Sequence, residues 1–205
     1  MSRGTKTCAV SLVLILAGCH PSGVETVSDL DTVSTAHDSS FSFANALTYS
    51  LPSQVVSVGS PDGGTPAAID QSTQQTILNT LQNEMEIRGY QKVPPAQGPD
   101  LVMTAAALTV TNIDYYYGYW YGYWGYYYPY YPGYPYYPPV VGVSVYTVGT
   151  LLVDLATADT AGLKLNGVWA AAIRGLGTGS VADTNIRIAN GIAQAFTQSP
   201  YLSRR

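Results

Sequence analysis

Apolar and polar positions divide this chain into segments with different periods. Residues 8–18 (CAVSLVLILAG) are almost wholly apolar. From Val33 a period of two begins: Val33, Thr35 and His37 alternate with their neighbours. Phe41, Phe43, Leu47, Tyr49 and Leu51 then share odd positions, broken only by Asn45. That alternation predicts extended chain with one buried face, closed by Pro52 and the Gly59–Gly64 cluster.

The period then changes to that of a helix. Ile77, Leu78, Leu81 and Met85 fall on one face of a helix expected over Asp70–Arg88. Ser72 and Gln75 have the spacing of a capping box, and Gly89 stands where a C-terminal cap belongs. Asp100–Val110 and Val140–Ala156 read as strands, followed by a turn at Thr157–Gly162 and a strand through Leu163–Ile173. A last helix is expected over Asp183–Gln198, with Ile186, Ala189, Ile192, Ala193 and Phe196 at helical spacing and Pro200 as its stop. This order predicts an α+β fold: a mainly antiparallel sheet with two helices packed on one face.

The first residues carry an address. Arg3 and Lys6 precede an apolar run shorter than the roughly 20 residues that span a bilayer, which fits a signal-peptide core. It ends in Leu16-Ala17-Gly18-Cys19, which resembles the lipobox of bacterial lipoproteins. The expected organisation is a signal peptide at 1–18, a lipidated polar tether at 19–32 and a single domain at 33–201. The resemblance implies a diacylglyceryl group and an N-acyl chain on Cys19, hence stable anchoring without a membrane-spanning helix. His20 stands where Asp would imply inner-membrane retention. The expected place is therefore the outer membrane, with the domain facing the periplasm.

Charge and cysteine content narrow the partners. The 205-residue chain has nine basic and thirteen acidic residues, a net charge of −4. Loss of Arg3 and Lys6 with the signal leaves seven basic residues and a net charge of −6. No basic cluster is present, which argues against nucleic acid. The two cysteines are Cys8, within the signal, and Cys19, so no disulfide is expected in the domain.

Candidate chemistry is sparse. His37-Asp38-Ser39-Ser40 holds the residue types of a hydrolytic site, yet neighbours on a strand face opposite ways and no nucleophile elbow accompanies them. Asp29, Asp31 and His37 make a poor metal set. Gly175-Leu-Gly177-Thr-Gly179-Ser180 precedes the last helix but lacks the spacing of a dinucleotide or phosphate loop, so a flexible connection capped by Ser180 or Asp183 is expected. Asp154 and Asp159 read as turn formers. No catalytic residue, metal or cofactor is therefore expected, and the chain reads as a non-enzyme.

One segment is unusual. Residues 115–139 hold fourteen tyrosines and two tryptophans, with no charge between Asp114 and Asp154. Tyr115, Tyr117, Tyr119, Tyr121 and Tyr123 take odd positions, while Gly118, Trp120, Gly122 and Trp124 fill even ones. Extended, this makes one row of phenols about 6.6 Å apart, opposite a row alternating indole with bare backbone. Pro129, Pro132, Pro135 and Pro138 then recur every third residue, the polyproline II period, which would place Tyr131, Tyr134 and Tyr137 along one edge. The expectation is a Tyr/Gly/Pro-rich hairpin insertion. Its tyrosines, with Trp120 and Trp124, suit contact with glycan, peptide or a membrane interface; a tolerated low-complexity insertion is the other reading.

The segments FSFANALTYSLP, LNTLQNEMEIRGYQKV, GPDLVMTAA, VYTVGTLLVDLATADT, LKLNGVWAAAIRG and IRIANGIAQAFTQSPY fall in an order that resembles the lipoprotein family catalogued as domain of unknown function 4136. The telling pieces are Arg88-Gly89-Tyr90, Pro99-Asp100-Leu101, Gly149-Thr150-Leu151 leading to Asp154, and Val168-Trp169. The chain departs at Ala170, where the family more often has a basic residue. The resemblance implies the fold and the envelope address but no activity. The expected function is a membrane-anchored, non-enzymatic binding or structural module whose aromatic arm contacts cell-wall glycan or another envelope protein. The alternative is an accessory subunit of an envelope assembly or transport complex, docking through its sheet.

Overall fold

A computed structural model describes residues 32–58, 68–108, 136–137, 149–159, 164–176 and 179–204. Its strands are β1 (Val33–His37), β2 (Thr48–Ser50), β3 (Val56–Val58), β4 (Gln91–Lys92), β5 (Leu101–Leu108), β6 (Tyr136–Tyr137), β7 (Thr150–Asp159) and β8 (Lys164–Ile173). Its helices are α1 (Gln71–Ile87) and α2 (Val181–Thr197). The expected α+β architecture is observed, with one eight-stranded sheet ordered β1-β8-β7-β5-β2-β4.

The long ladders are antiparallel: β1 with β8, β8 with β7, and β7 with β5. Short parallel strands complete both flanks. β2 and β3 share the outer side of β5, one at each end, while β6 and β1 share the outer side of β8 in the same manner.

The helices arise where the spacing placed them, with capping details decided by local chemistry. Asp70, rather than Ser72, caps α1: its carboxylate accepts from Ser72 N at 2.8 Å and Thr73 N at 3.3 Å. Ile77, Leu81 and Met85 turn inward, one turn apart. At the far end Gly89 takes φ +94°, and Tyr90 N and Gly89 N donate to Met85 O and Glu86 O at 3.1 and 3.0 Å. This Schellman closure needs a residue that tolerates a left-handed backbone, and it carries Tyr90 into the core. In α2 the expected Ser180 cap is observed, accepting from Asp183 N at 3.2 Å.

Both helices pack on one sheet face, as expected. Ile77, Leu81, Met85, Ile188, Ile192 and Phe196 join Tyr49, Met103, Val153, Leu155, Trp169 and Ile173 in one core. The last helix is rotated from the expected phase. Ile188, Gly191, Ile192, Ala195 and Phe196 are buried, while Ile186, expected inward, is 61% exposed.

Three further expectations change. The alternation over Val33–Leu51 is not one strand: β1 ends at His37, a turn and a short 3-10 helix (Phe43–Asn45) follow, and β2 lies on the opposite flank of the sheet. Asp38 makes that break by accepting from Ser40 N and Ser40 Oγ. Leu47, assigned inward by parity, is exposed in consequence. Next, β7 extends through Asp159, past the expected turn at Thr157, and Asp154 lies in mid-strand, buried at 1% exposure. It is therefore no turn former. The predicted strand start at 140–148 and most of the hairpin insertion lie outside the described residues. Finally, Tyr136 and Tyr137 pair parallel with Leu165 and Asn166, so Tyr137 belongs to a strand and not to a polyproline edge.

Candidate functional site

The sequence nominated Cys19 and a run of aromatic residues, and these positions lie outside the described residues: Cys19, Tyr115, Tyr117, Tyr119, Trp120, Tyr121, Tyr123 and Trp124. Asp29 and Asp31 lie outside them too. What is described is how the aromatic insertion leaves and rejoins the sheet. Leu108 ends β5 and pairs with Thr150 at the start of β7. Between them Gly149, at φ +78°, donates its N–H to Leu108 O at 3.0 Å. Residues 109–148 therefore begin and end at one closed neck. Gly149 O in turn accepts from Leu176 N at 2.9 Å, which ties the neck to the connection before α2. The motif Gly149-Thr150-Leu151 has a physical reason: the neck needs a left-handed residue and then a strand.

The other motifs also prove to be fastenings. Asp100 Oδ2 accepts from Leu47 N, Thr48 N and Thr48 Oγ1, each at 2.8 Å, while Asp100 N donates to Thr48 Oγ1 at 3.0 Å. Partial burial alone would raise the Asp100 carboxyl; the hydrogen bonds from Leu47 and Thr48 outweigh it and hold the group below its ordinary value. Trp169 is fully buried, packs against Phe196 at 5.2 Å and donates its indole N–H to Ser199. Period counting identified neither Asp100 nor Ser199 as a partner, because each bonds across a long sequence separation.

The residues of the His37–Ser40 run make other contacts than those of a hydrolytic series. The Asp38 carboxyl is held low by the hydrogen bonds from Ser40, and the His37 ring stacks on Tyr201 at 3.8 Å. No hydrogen bond joins His37 to Ser40 among the described residues, so acid, base and hydroxyl are not in series. Among the described residues no group of three or more His, Cys, Asp or Glu is placed to hold a metal. The Gly175–Ser180 connection serves structure: Ser180 caps α2, and Arg187 donates to Gly175 O.

An open cleft of about 590 Å³ lies where the strand ends meet, beside Ser40, Ser42, Asn45, Asp100 and Thr157. Its carboxylate is already used to close the β2–β5 junction. It offers hydroxyl and amide groups, with Phe41, Ala46, Pro99 and Ala158 as its apolar lining. No helix among the described residues is long and apolar enough to cross a membrane.

Comparison with known proteins agrees with this fold. A crystal structure of a DUF4136 family protein from Bacteroides thetaiotaomicron VPI-5482 is similar, at 26% identity and a TM-score of 0.68 over 85% of this chain and 98% of that one. The PelC dodecamer from Paraburkholderia phytofirmans is a more distant likeness, at 14% identity and a TM-score of 0.40 over 85% and 99% of the two chains. No curated protein matches the sequence. The family model described as Domain of unknown function (DUF4136) matches residues 33–201. Having both the family's sequence pattern and its fold, this chain belongs to the DUF4136 family.

Proposed function

We propose that this chain is a lipid-anchored envelope protein without catalytic activity, held at the outer membrane through Cys19 and facing the periplasm. The observation that carries the anchor is Leu16-Ala17-Gly18-Cys19 behind a charged start and an apolar run. β1 begins at Val33, and in this proposal the polar residues 19–32 link the lipid to the domain. Fatty-acid labelling tests this. Cys19→Ala should take no label and leave the detergent phase, and equal labelling of both forms would end the reading.

In the same proposal the tyrosine-rich segment is the contact surface, for cell-wall glycan or another envelope protein. Tyr115, Tyr117, Tyr119, Tyr121 and Tyr123, with Trp120 and Trp124, supply flat rings with polar edges. Docking through the open sheet is the weaker alternative. Val102, Met103, Leu152 and Val153 are each at most 2% exposed, so neighbouring positions on opposite faces of the central strands leave no free surface. Co-sedimentation with purified peptidoglycan, beside pull-down from envelope extract, separates the two. Tyr117, Tyr119 and Tyr121 to Ser should release the partner from a folded protein. Retention of every partner would move the contact to the body.

A further inference from the structure

The cleft of about 590 Å³ at one end of the sheet has a fixed lining whose polar atoms are largely free. Three short stretches build it: 40–46 between β1 and β2, 99–100 before β5, and 157–158 near the end of β7. The first two are held by contacts of their own. Ser40 is fastened to Asp38, and Phe41 meets Phe43 edge to face at 4.8 Å, with the Tyr201 ring 5.6 Å beyond Phe43. Asp100 receives Leu47 N, Thr48 N and Thr48 Oγ1 all on one oxygen, Oδ2. Its Oδ1 has no hydrogen bond among the described residues, nor have the side chains of Ser42, Asn45 and Thr157. The volume falls within the roughly 300–1,000 Å³ usual for small-molecule sites.

The chemistry of the lining selects the ligand. No Lys, Arg or His lines the cleft among the described residues, so a phosphate or carboxylate group would find no cation there. Asp100 is the one carboxylate of the described lining, too few oxygen ligands of that kind for a divalent cation. A wholly apolar ligand would cover the Asp100 carboxylate and the Asn45 amide without hydrogen bonds, which is costly. What remains is an uncharged molecule dense in hydroxyl groups, with one apolar face. We infer that the cleft binds one unit of an uncharged saccharide. Asp100 Oδ1 accepts from a ring hydroxyl, in the stronger kind of hydrogen bond because the acceptor is charged. The Asn45 amide donates and accepts, as do the Ser42 and Thr157 hydroxyls. Phe41, between Pro99 and Ala46 in the apolar part of the lining, meets the C–H face of the sugar.

The cleft lies away from the point where the chain enters the sheet. Val33, at the start of β1, pairs with Ile173, and Ile173 pairs with Leu151. Thr157 stands six residues further along β7, roughly 20 Å away. The Leu108–Gly149 neck is at the entry end as well. The inference therefore rests on the folded body, and it stands or falls apart from the lipid anchor and the tyrosine-rich segment.

Saturation-transfer NMR on the full-length chain in detergent micelles tests it, with glucose, galactose, mannose, N-acetylglucosamine and glucose 6-phosphate as probes. At least one of the four uncharged sugars should bind saturably. The double change Asn45→Ala with Thr157→Val should weaken that binding at least about 10-fold, since two hydrogen bonds are removed. Asn83→Ala, on the exposed side of α1, and the change of Tyr117, Tyr119 and Tyr121 to Ser should leave it as it was. A cooperative melt confirms that each variant is folded; should the double variant not fold, Ser42→Ala with Asn45→Ala takes its place. No binding of any uncharged sugar would overturn the inference, as would tighter binding of glucose 6-phosphate than of glucose. Binding that survives the cleft variants but is lost with the three tyrosines would overturn it too, while leaving the aromatic contact surface standing.

Discussion

Trp169 in β8 donates its indole N–H to Ser199 Oγ over 2.9 Å, and both residues are at 0% exposure. Tyr201 donates its hydroxyl to the same oxygen at 3.1 Å. One serine after α2 thus joins the middle of the sheet to the C-terminal turn. Ser199→Ala leaves a buried indole N–H without its acceptor, which should cost about 1–3 kcal/mol. For a domain of this size the melting temperature should fall by about 2–4 °C per kcal/mol. Calorimetry on the soluble domain checks it, and Ser199→Thr, which keeps the hydroxyl, should recover part of the loss.

Leu81 and Phe196, each at 0% exposure, meet the sheet from the two helices. Either change to Ala should cost about 2–5 kcal/mol through lost contacts and a residual cavity. Ile186→Ala, on the exposed side of α2, should stay within about 0.5 kcal/mol of the parent. Urea unfolding of the three variants would reveal a misplaced helix phase as a reversed order.

Gly191 offers a test whose sign is opposed by helix propensity. Ala is normally favoured over Gly inside a helix by about 1 kcal/mol. Here the added methyl would lie 2.5 Å from Ile173 Cγ2, on a β-branched side chain held by the sheet. Overpacking of that kind costs about 1–3 kcal/mol, so Gly191→Ala should destabilise. In an Ile173→Ala background the same change should become neutral or favourable. Additive effects in that double-mutant cycle would rule the contact out.

Two groups of residues give the stability a pH dependence of opposite sign. Burial pushes the Tyr90 hydroxyl up to about 12, partly countered by Arg204 and Arg88, and raises Tyr49 as well, with the Glu86 charge adding to the effect. Their contribution is complete below the ordinary tyrosine value near 10 and is lost as pH climbs through the raised values. The carboxyl of Asp70 is lowered by hydrogen bonds from Ser72 and Thr73. That of Asp100 is lowered by Leu47 and Thr48 against a partial burial effect. Their contribution is present above about 4 and is lost as pH falls through the lowered values. Tyr90→Phe should flatten the alkaline limb of a stability–pH curve, and Asp100→Asn the acid limb.

Short-range features were legible in the sequence. The α1 face, its closure at Gly89, the Ser180 cap and the existence of the central strands follow from spacing and backbone preference, which act within a turn or two of the chain. Legibility ended where a partner lies far away in sequence. One miss was local: parity assigned Leu47 to the inside although Asp38, bonded to Ser40 two residues on, breaks the strand. Helical spacing admitted two phases for α2, and contact between Gly191 and Ile173 chose one. Asp154 resembled a turn residue until its strand was placed between two others. In the candidate site the aromatic composition was plain, while the Leu108–Gly149 neck and the pairing of Tyr136–Tyr137 with β8 were not.

The sequence by itself determined that two helices and the central strands form, that the first helix closes at Gly89 and the second is capped by Ser180, and the family to which the chain belongs. Tertiary structure alone decided that two strands share the outer side of β5, both parallel to it, and two the outer side of β8, one antiparallel and one parallel, and that both faces of the central strands are buried. The physical reason is range. Periodicity and capping are settled by neighbours along the chain, whereas a strand's partners and the cover over its faces depend on residues a hundred positions away.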